Sequence, residues 1–153
     1  MDILAYIANN IPLILERTVE HLSLVAAAVR AATATGVPIG IAITQNRRIA
    51  DAVLYVAGMI MTIPSIALFG VMIPILAVVG QGIGYLPAVI ALFLYSQLPI
   101  IRNTYTAIDN VDPALREAAR GMGMTAVQRL RTVEIPMAVP VIAAGVRTAA
   151  VIN

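Results

Sequence analysis

From Ala52 to Ile101 the chain runs for 50 residues without a charge. Helices of soluble domains rarely exceed about 20 residues before polar turns interrupt them, whereas a helix crossing a bilayer needs about 20 apolar residues in succession. Fifty such residues are too many for one crossing and suit two. The stretch "GQGIG", Gly80 to Gly84, divides them with flexible, uncharged residues. The remaining composition agrees: 60% of the 153 residues are hydrophobic and 12% charged, against about a quarter charged in a soluble domain. The expected fold is an all-α, polytopic transmembrane bundle.

Four spans follow from the pattern. The first is Leu22 to Thr44, whose 23 residues extend about 34 Å as a helix, enough for a hydrocarbon core of about 30 Å. Met1 to Val19 precedes it as a short amphipathic lead-in. Its first charge is Asp2 and its first basic residue Arg17, the wrong order for a cleavable signal peptide. The second span is about Ala52 to Val79. Gly58, Pro64, Gly70 and Pro74 punctuate it, so a broken or kinked element packed inside the bundle is expected. The third is about Tyr85 to Ile108. The fourth begins near Met137 and reaches Asn153 after 17 residues, the lower limit for crossing. It reads as a helix truncated within the span.

The basic residues set the orientation. All ten are arginine. Arg47 and Arg48 lie between the first and second spans, and Arg116, Arg120, Arg129 and Arg131 between the third and fourth. The segment before Leu22 has three acids and one Arg, and the Gly80–Gly84 loop has no charge. Because arginine stays cytoplasmic, the N-terminus is expected outside and both Arg-bearing connections inside, in a cell inner or plasma membrane. A net charge of +2, scattered along the chain, does not point to nucleic acid.

The connection from Asp112 to Pro136, "DPALREAARGMGMTAVQRLRTVEIP", carries seven charges between two apolar segments. Asp112 followed by Pro113 is a helix start. Leu115, Ala118, Ala119 and Met122 share one helical face, with Arg116, Glu117 and Arg120 off it. Gly121 and Gly123 end that helix and permit a sharp turn. Thr125 with Gln128 forms a capping box. Val127, Leu130 and Glu134 are expected on one face of a second helix, flanked by Arg129 and Arg131 and closed by Pro136. An isolated helix this short is marginal in water, so its apolar stripe needs a surface to rest on. That surface is either its own bundle or lipid, or a soluble partner.

"EAARGMG" and "VEIP" together resemble the signature of ABC-importer permeases: Glu-Ala-Ala, three residues, Gly, nine residues, an aliphatic residue, one residue, Leu-Pro. The matching positions are Glu117, Ala118, Ala119, Gly123, Val133, Ile135 and Pro136, with Val and Ile in place of the usual Ile and Leu. From residue 20 onward the chain also resembles the osmoprotectant branch, for glycine betaine, choline, carnitine or proline. "GVPIGI", "TIPSIALFGVMIPIL", "GYLPAVIALFLYSQLPIIRNTYTAIDNVDPALREAARGMGM" and "IPMAVPVIAAGVRTA" carry that likeness. The resemblance implies a family fold with five core spans and a coupling helix that docks on a cytoplasmic ATP-binding subunit. Glu117, Ala118, Ala119, Arg120, Gly123 and Arg116 would form that coupling element. An extracytoplasmic substrate-binding protein and a second permease subunit, identical or paralogous, would complete the assembly in the lipid bilayer.

Polar residues inside the spans are pathway candidates: Arg147 in the fourth, and Gln97, Asn103 and Tyr95 in the third. Arg147 fits a structural ion pair or a pathway role equally. Tyr95, Ser96 and Gln97 either bond to neighbouring helices or line the route. Arg30, alone in the first span, is expected to snorkel or to pair within the bundle. His21 is alone and the chain has no Cys, so no metal site and no cofactor are expected. No phosphate-binding Gly-rich loop and no H-E-x-x-H occurs, and the second and third spans contain no acid for an aspartyl dyad. Intramembrane enzymology is therefore disfavoured. A permease for another small solute, such as an amino acid or sulfonate, and a scaffold that only docks a cytoplasmic partner are the competing readings.

Overall fold

The computed structural model describes residues 3–78 and 80–153; Met1, Asp2 and Val79, the expected end of the second span, lie outside the described residues. The described residues form seven α-helices with one π-helical turn. These are α1 (Ile3–Ile43), α2 (Arg47–Thr62), α3 (Ser65–Ala77), α4 (Tyr85–Asp109), α5 (Pro113–Gly121), α6 (Ala126–Arg129), the π turn (Leu130–Glu134) and α7 (Ile135–Ile152). Among the described residues, α1, α4 and the continuous rod Ala126–Ile152 are long and apolar enough to cross a membrane. The pair α2 and α3 passes the same test only when taken together.

α4 is the centre of the bundle. It packs against α1, α2, α3 and α7 and buries residues on several sides, including Ala91, Ser96, Ile100, Thr104 and Ile108. Close approach depends on small partners, because helices in lipid associate through tight van der Waals contact. A Cβ added at Gly40 of α1 would lie 2.6 Å from Thr104 Cβ, and one at Gly145 of α7 would lie 2.9 Å from the Pro99 carbonyl oxygen. These glycines let the two flanking helices sit directly on the α4 backbone.

Three expectations need correction. The lead-in is not separate from the first span: α1 covers 41 residues in two helical segments that meet at a kink at Asn10, and the longer segment runs past Val19 and Leu22 into the first span. Its only described irregularity is Asn10, at φ −118° and ψ 15°. That residue lies two positions before Pro12, whose missing N–H and ring disturb the preceding turn. The second span is broken, as expected, but its second half is not packed inside the bundle. α2 and α3 meet at 96° across Ile63–Pro64, and α3 buries only Leu68. Finally, Pro136 closes no helix. It occupies the first turn of α7, where its missing N–H is tolerated because the preceding turn has widened to π geometry.

One end of the bundle gathers the Arg-bearing segments. Ile43, Ala50 and Ile101 cluster with Tyr105, and Ala107, Ile108 and Ala138 with Ile41 and Leu130. The end of α1, the start of α2, the end of α4 and the base of α7 therefore converge. At the opposite end, the Tyr85 hydroxyl donates to the Ser23 carbonyl at 3.3 Å.

Candidate functional site

At the convergent end, α5 is built by local chemistry. The Asp112 carboxylate accepts the Ala114 N–H at 2.8 Å, and Pro113 occupies the first helical position. The helix ends in two bonds, from the Gly123 N–H to the Arg120 carbonyl at 2.9 Å and from the Met124 N–H to the Ala119 carbonyl at 3.1 Å. That paired closure requires a left-handed residue, and Gly123 supplies it at φ +77°. The Thr125–Gln128 capping box then starts α6: the Thr125 N–H donates to Gln128 Oε1 at 2.8 Å and the Gln128 N–H to Thr125 Oγ1 at 3.3 Å.

The helix has an inner and an outer face. Of the stripe Leu115, Ala118, Ala119 and Met122, only Ala119 is buried. Leu115 and Ala118 are exposed, and Met122 is 69% exposed. Glu117 and Arg120 are also exposed and belong to no ion pair among the described residues. α5 therefore presents a mixed apolar and charged surface outward from the bundle.

Arg116 turns inward. Its guanidinium donates to the Ile108 carbonyl at the end of α4, and its Nε lies 3.4 Å from Glu134 Oε1. Arg129 Nε donates to the same oxygen at 2.8 Å. The Glu134 side chain is only 8% exposed. Around this group lies a cleft of about 420 Å³, lined among others by Thr44, Gln45, Asp109 and Leu130. Sequence reading missed this role for Glu134. It placed the residue on a face with Val127 and Leu130, yet Val127 is 59% exposed while Glu134 is buried. The π turn adds a residue and rotates the two apart. The available signal was an acid five residues after an Arg and two before Pro136.

The intramembrane candidates are dispersed. Gln97 is buried and donates through Nε2 to Thr35 Oγ1 of α1 at 3.1 Å. Asn103 donates to the Pro99 carbonyl of its own helix at 2.7 Å. Tyr95 donates to the Ile63 carbonyl at the α2–α3 break, beside a cavity of about 510 Å³ also lined by Thr62, Ser65 and Asn153. Ser96, paired with these residues in the sequence, accepts from Asn153 Nδ2 at 2.7 Å. Arg147 and Arg30 are exposed and have no ion-pair partner among the described residues; Arg30 Nε donates to the Ala26 carbonyl at 3.0 Å. The four pathway candidates thus do not line one cavity. His21 is exposed, and no group of metal-ligating side chains occurs among the described residues.

The family described as binding-protein-dependent transport system inner membrane component matches residues 36–153. The chain belongs to that family. As such it is a multi-pass membrane permease subunit of the ABC-transporter class rather than an enzyme. Its curated relatives include the osmoprotectant import permease protein OsmW of Salmonella typhimurium, 56% identical over 153 residues, all of this chain and 71% of that one. The glycine betaine/carnitine/choline transport system permease protein OpuCB of Bacillus subtilis is 40% identical, over 98% of this chain and 67% of that one. A carnitine transport permease protein OpuCB of Listeria monocytogenes is 42% identical, over 97% and 66%. The chain thus spans about two thirds of the length of these relatives. Among solved structures, an inward-facing form of the MetNI methionine ABC transporter superposes with a TM-score of 0.80, over 93% of this chain and 70% of that one, at 24% identity. A second form gives 0.71 at 28% identity, over 86% and 65%. The permease family fold is thereby shared.

Proposed function

We infer that this permease subunit belongs to an ATP-driven importer of small osmoprotectants such as glycine betaine, choline, carnitine or proline. One relative named for osmoprotectants, at 56% identity, and one named for glycine betaine, carnitine and choline, at 40%, both over nearly the whole chain, support the substrate class. Coupling rests on one structural observation: a capped surface helix, α5, offers Glu117, Ala118 and Met122 outward while Arg116 ties it to the bundle. A nine-residue helix burying one of its own residues needs an external surface. A cytoplasmic ATP-binding subunit with an apolar cleft and charged rim fits that need. With arginine kept cytoplasmic, the α5 end faces the cytosol, and the end carrying Tyr85 faces an extracytoplasmic substrate-binding protein. A second permease subunit, identical or paralogous, completes the route.

The test is reconstitution of the full-length subunit with its ATP-binding and substrate-binding partners in proteoliposomes. ATP-dependent uptake of labelled glycine betaine, choline, carnitine or proline is the expected result. ATP-dependent uptake confined to amino acids of another class or to sulfonates would overturn the substrate assignment. No ATP-dependent uptake of any solute, with a docked ATP-binding subunit, would overturn the import reading.

A further inference from the structure

Glu134 is the one buried acid among the described residues, and it sits where three elements meet. Arg129 closes α6, Arg116 belongs to α5 and also holds the Ile108 carbonyl at the end of α4, and Glu134 itself ends the π turn that leads into α7. Both guanidiniums approach a single carboxylate oxygen, Oε1: Arg129 Nε donates to it at 2.8 Å, and Arg116 Nε lies in ion-pair range at 3.4 Å without a hydrogen bond.

The backbone is arranged for this contact. Residues five apart on an α-helix point about 140° away from each other. Arg129 and Glu134 are five apart, so a regular helix would hold them on different faces. The π turn changes the register: the Ile135 N–H bonds to the Leu130 carbonyl, five residues back. One widened turn brings Arg129 over Glu134. It also suits Pro136, whose ring would press on the Thr132 carbonyl in a regular helix and which has no N–H to donate. Single π turns inside helices occur often at functional positions.

Apolar packing does not fix α5, since only Ala119 is buried on it, and the Gly123 turn beyond it has no neighbour that a Cβ would touch. The polar ties must therefore set its angle to α7. We propose that Glu134 is a positioning residue that fastens α5 to α7 through Arg116 and Arg129, so that displacement of α5 reaches the spanning helix instead of being absorbed in the Gly123 turn. This rests on the coupling role assigned to α5 above.

Glu134→Gln and Glu134→Asp in the full-length subunit, reconstituted with its ATP-binding and substrate-binding partners, test this. With Glu134→Gln, the ATP-binding subunit is expected to co-purify and hydrolyse ATP as before, while solute moved per ATP falls by at least about fivefold. Glu134→Asp, which keeps the charge, should recover part of that ratio. An unchanged ratio in Glu134→Gln overturns the proposal. So does loss of the bound ATP-binding subunit in step with transport, which would make the residue merely structural. A nitroxide at Ala114→Cys in the subunit alone reads the fastening independently of transport: Glu134→Gln should raise its mobility, and equal mobility in both proteins overturns the proposal. If the unmodified complex shows no ATP-linked uptake, the import reading falls, and the nitroxide result alone decides whether Glu134 fastens α5.

Discussion

The Tyr95 hydroxyl of α4 donates a hydrogen bond to the Ile63 carbonyl, where α2 stops. Pro64 prevents α2 from continuing, and α3 leaves at 96°. The break leaves the Ile63 carbonyl without a partner in its own helix. The central helix supplies the partner instead, 32 positions away in sequence. Tyr95→Phe keeps the ring and removes the donor. It should destabilise the protein by about 0.5–1.5 kcal/mol, read as a lower unfolding midpoint in detergent. An unchanged midpoint would mean that another group satisfies the Ile63 carbonyl.

The glycines divide into those that carry packing and those that do not. A Cβ at Gly145 would stand 2.7 Å from Asn103 Cβ, and one at Gly40 would stand 2.6 Å from Thr104 Cβ. Gly145→Ala and Gly40→Ala should each cost about 1–3 kcal/mol through overpacking. Gly58, inside α2, has nothing within 4 Å of the corresponding point. Gly58→Ala should stabilise by about 0.5–1 kcal/mol, since alanine loses less backbone freedom in a helix. Denaturant titration of the three variants checks the contrast, and equal effects would refute it.

At Gly123 the constraint is backbone conformation, not space. The residue has φ +77° and open surroundings. Gly123→Leu should cost about 1–2 kcal/mol of local strain and splay α5 from α6. Membrane insertion should be normal and solute uptake weakened. Uptake equal to that of the unmodified complex would show that the turn tolerates a side chain without loss of coupling.

Glu117 separates docking from folding. It is exposed and outside the described ion pairs. Glu117→Arg should therefore leave the unfolding midpoint within about 0.5 kcal/mol while reducing co-purification with the ATP-binding subunit. Glu134→Ala should do the reverse to stability. It leaves two guanidiniums around an emptied site, and removing the partner of partly buried charges costs about 1–3 kcal/mol. Midpoints measured side by side would expose a wrong assignment if the two variants ranked in the opposite order.

The local features were legible because their causes lie within a few residues. The uncharged run from Ala52 to Ile101, the Asp112–Pro113 helix start, the left-handed Gly123 and the Thr125–Gln128 box each follow from neighbours in the chain. The stop at Pro64 was legible for the same reason, though not the angle it produces. Partner choice was not legible. The sequence offers Gln97 many hydroxyls and carbonyls, and only the crossing of α1 on α4 selects Thr35. Glu134 was expected on one face with Val127 and Leu130 because a regular helix was assumed up to Pro136. One extra residue in that turn moved it under Arg129 and Arg116. Residue type and spacing therefore determined the helical membrane class and the capped elbow by themselves. The tertiary structure decided which polar groups meet, because a hydrogen bond or ion pair between helices depends on their crossing and rotation, to which residues far apart in the chain contribute.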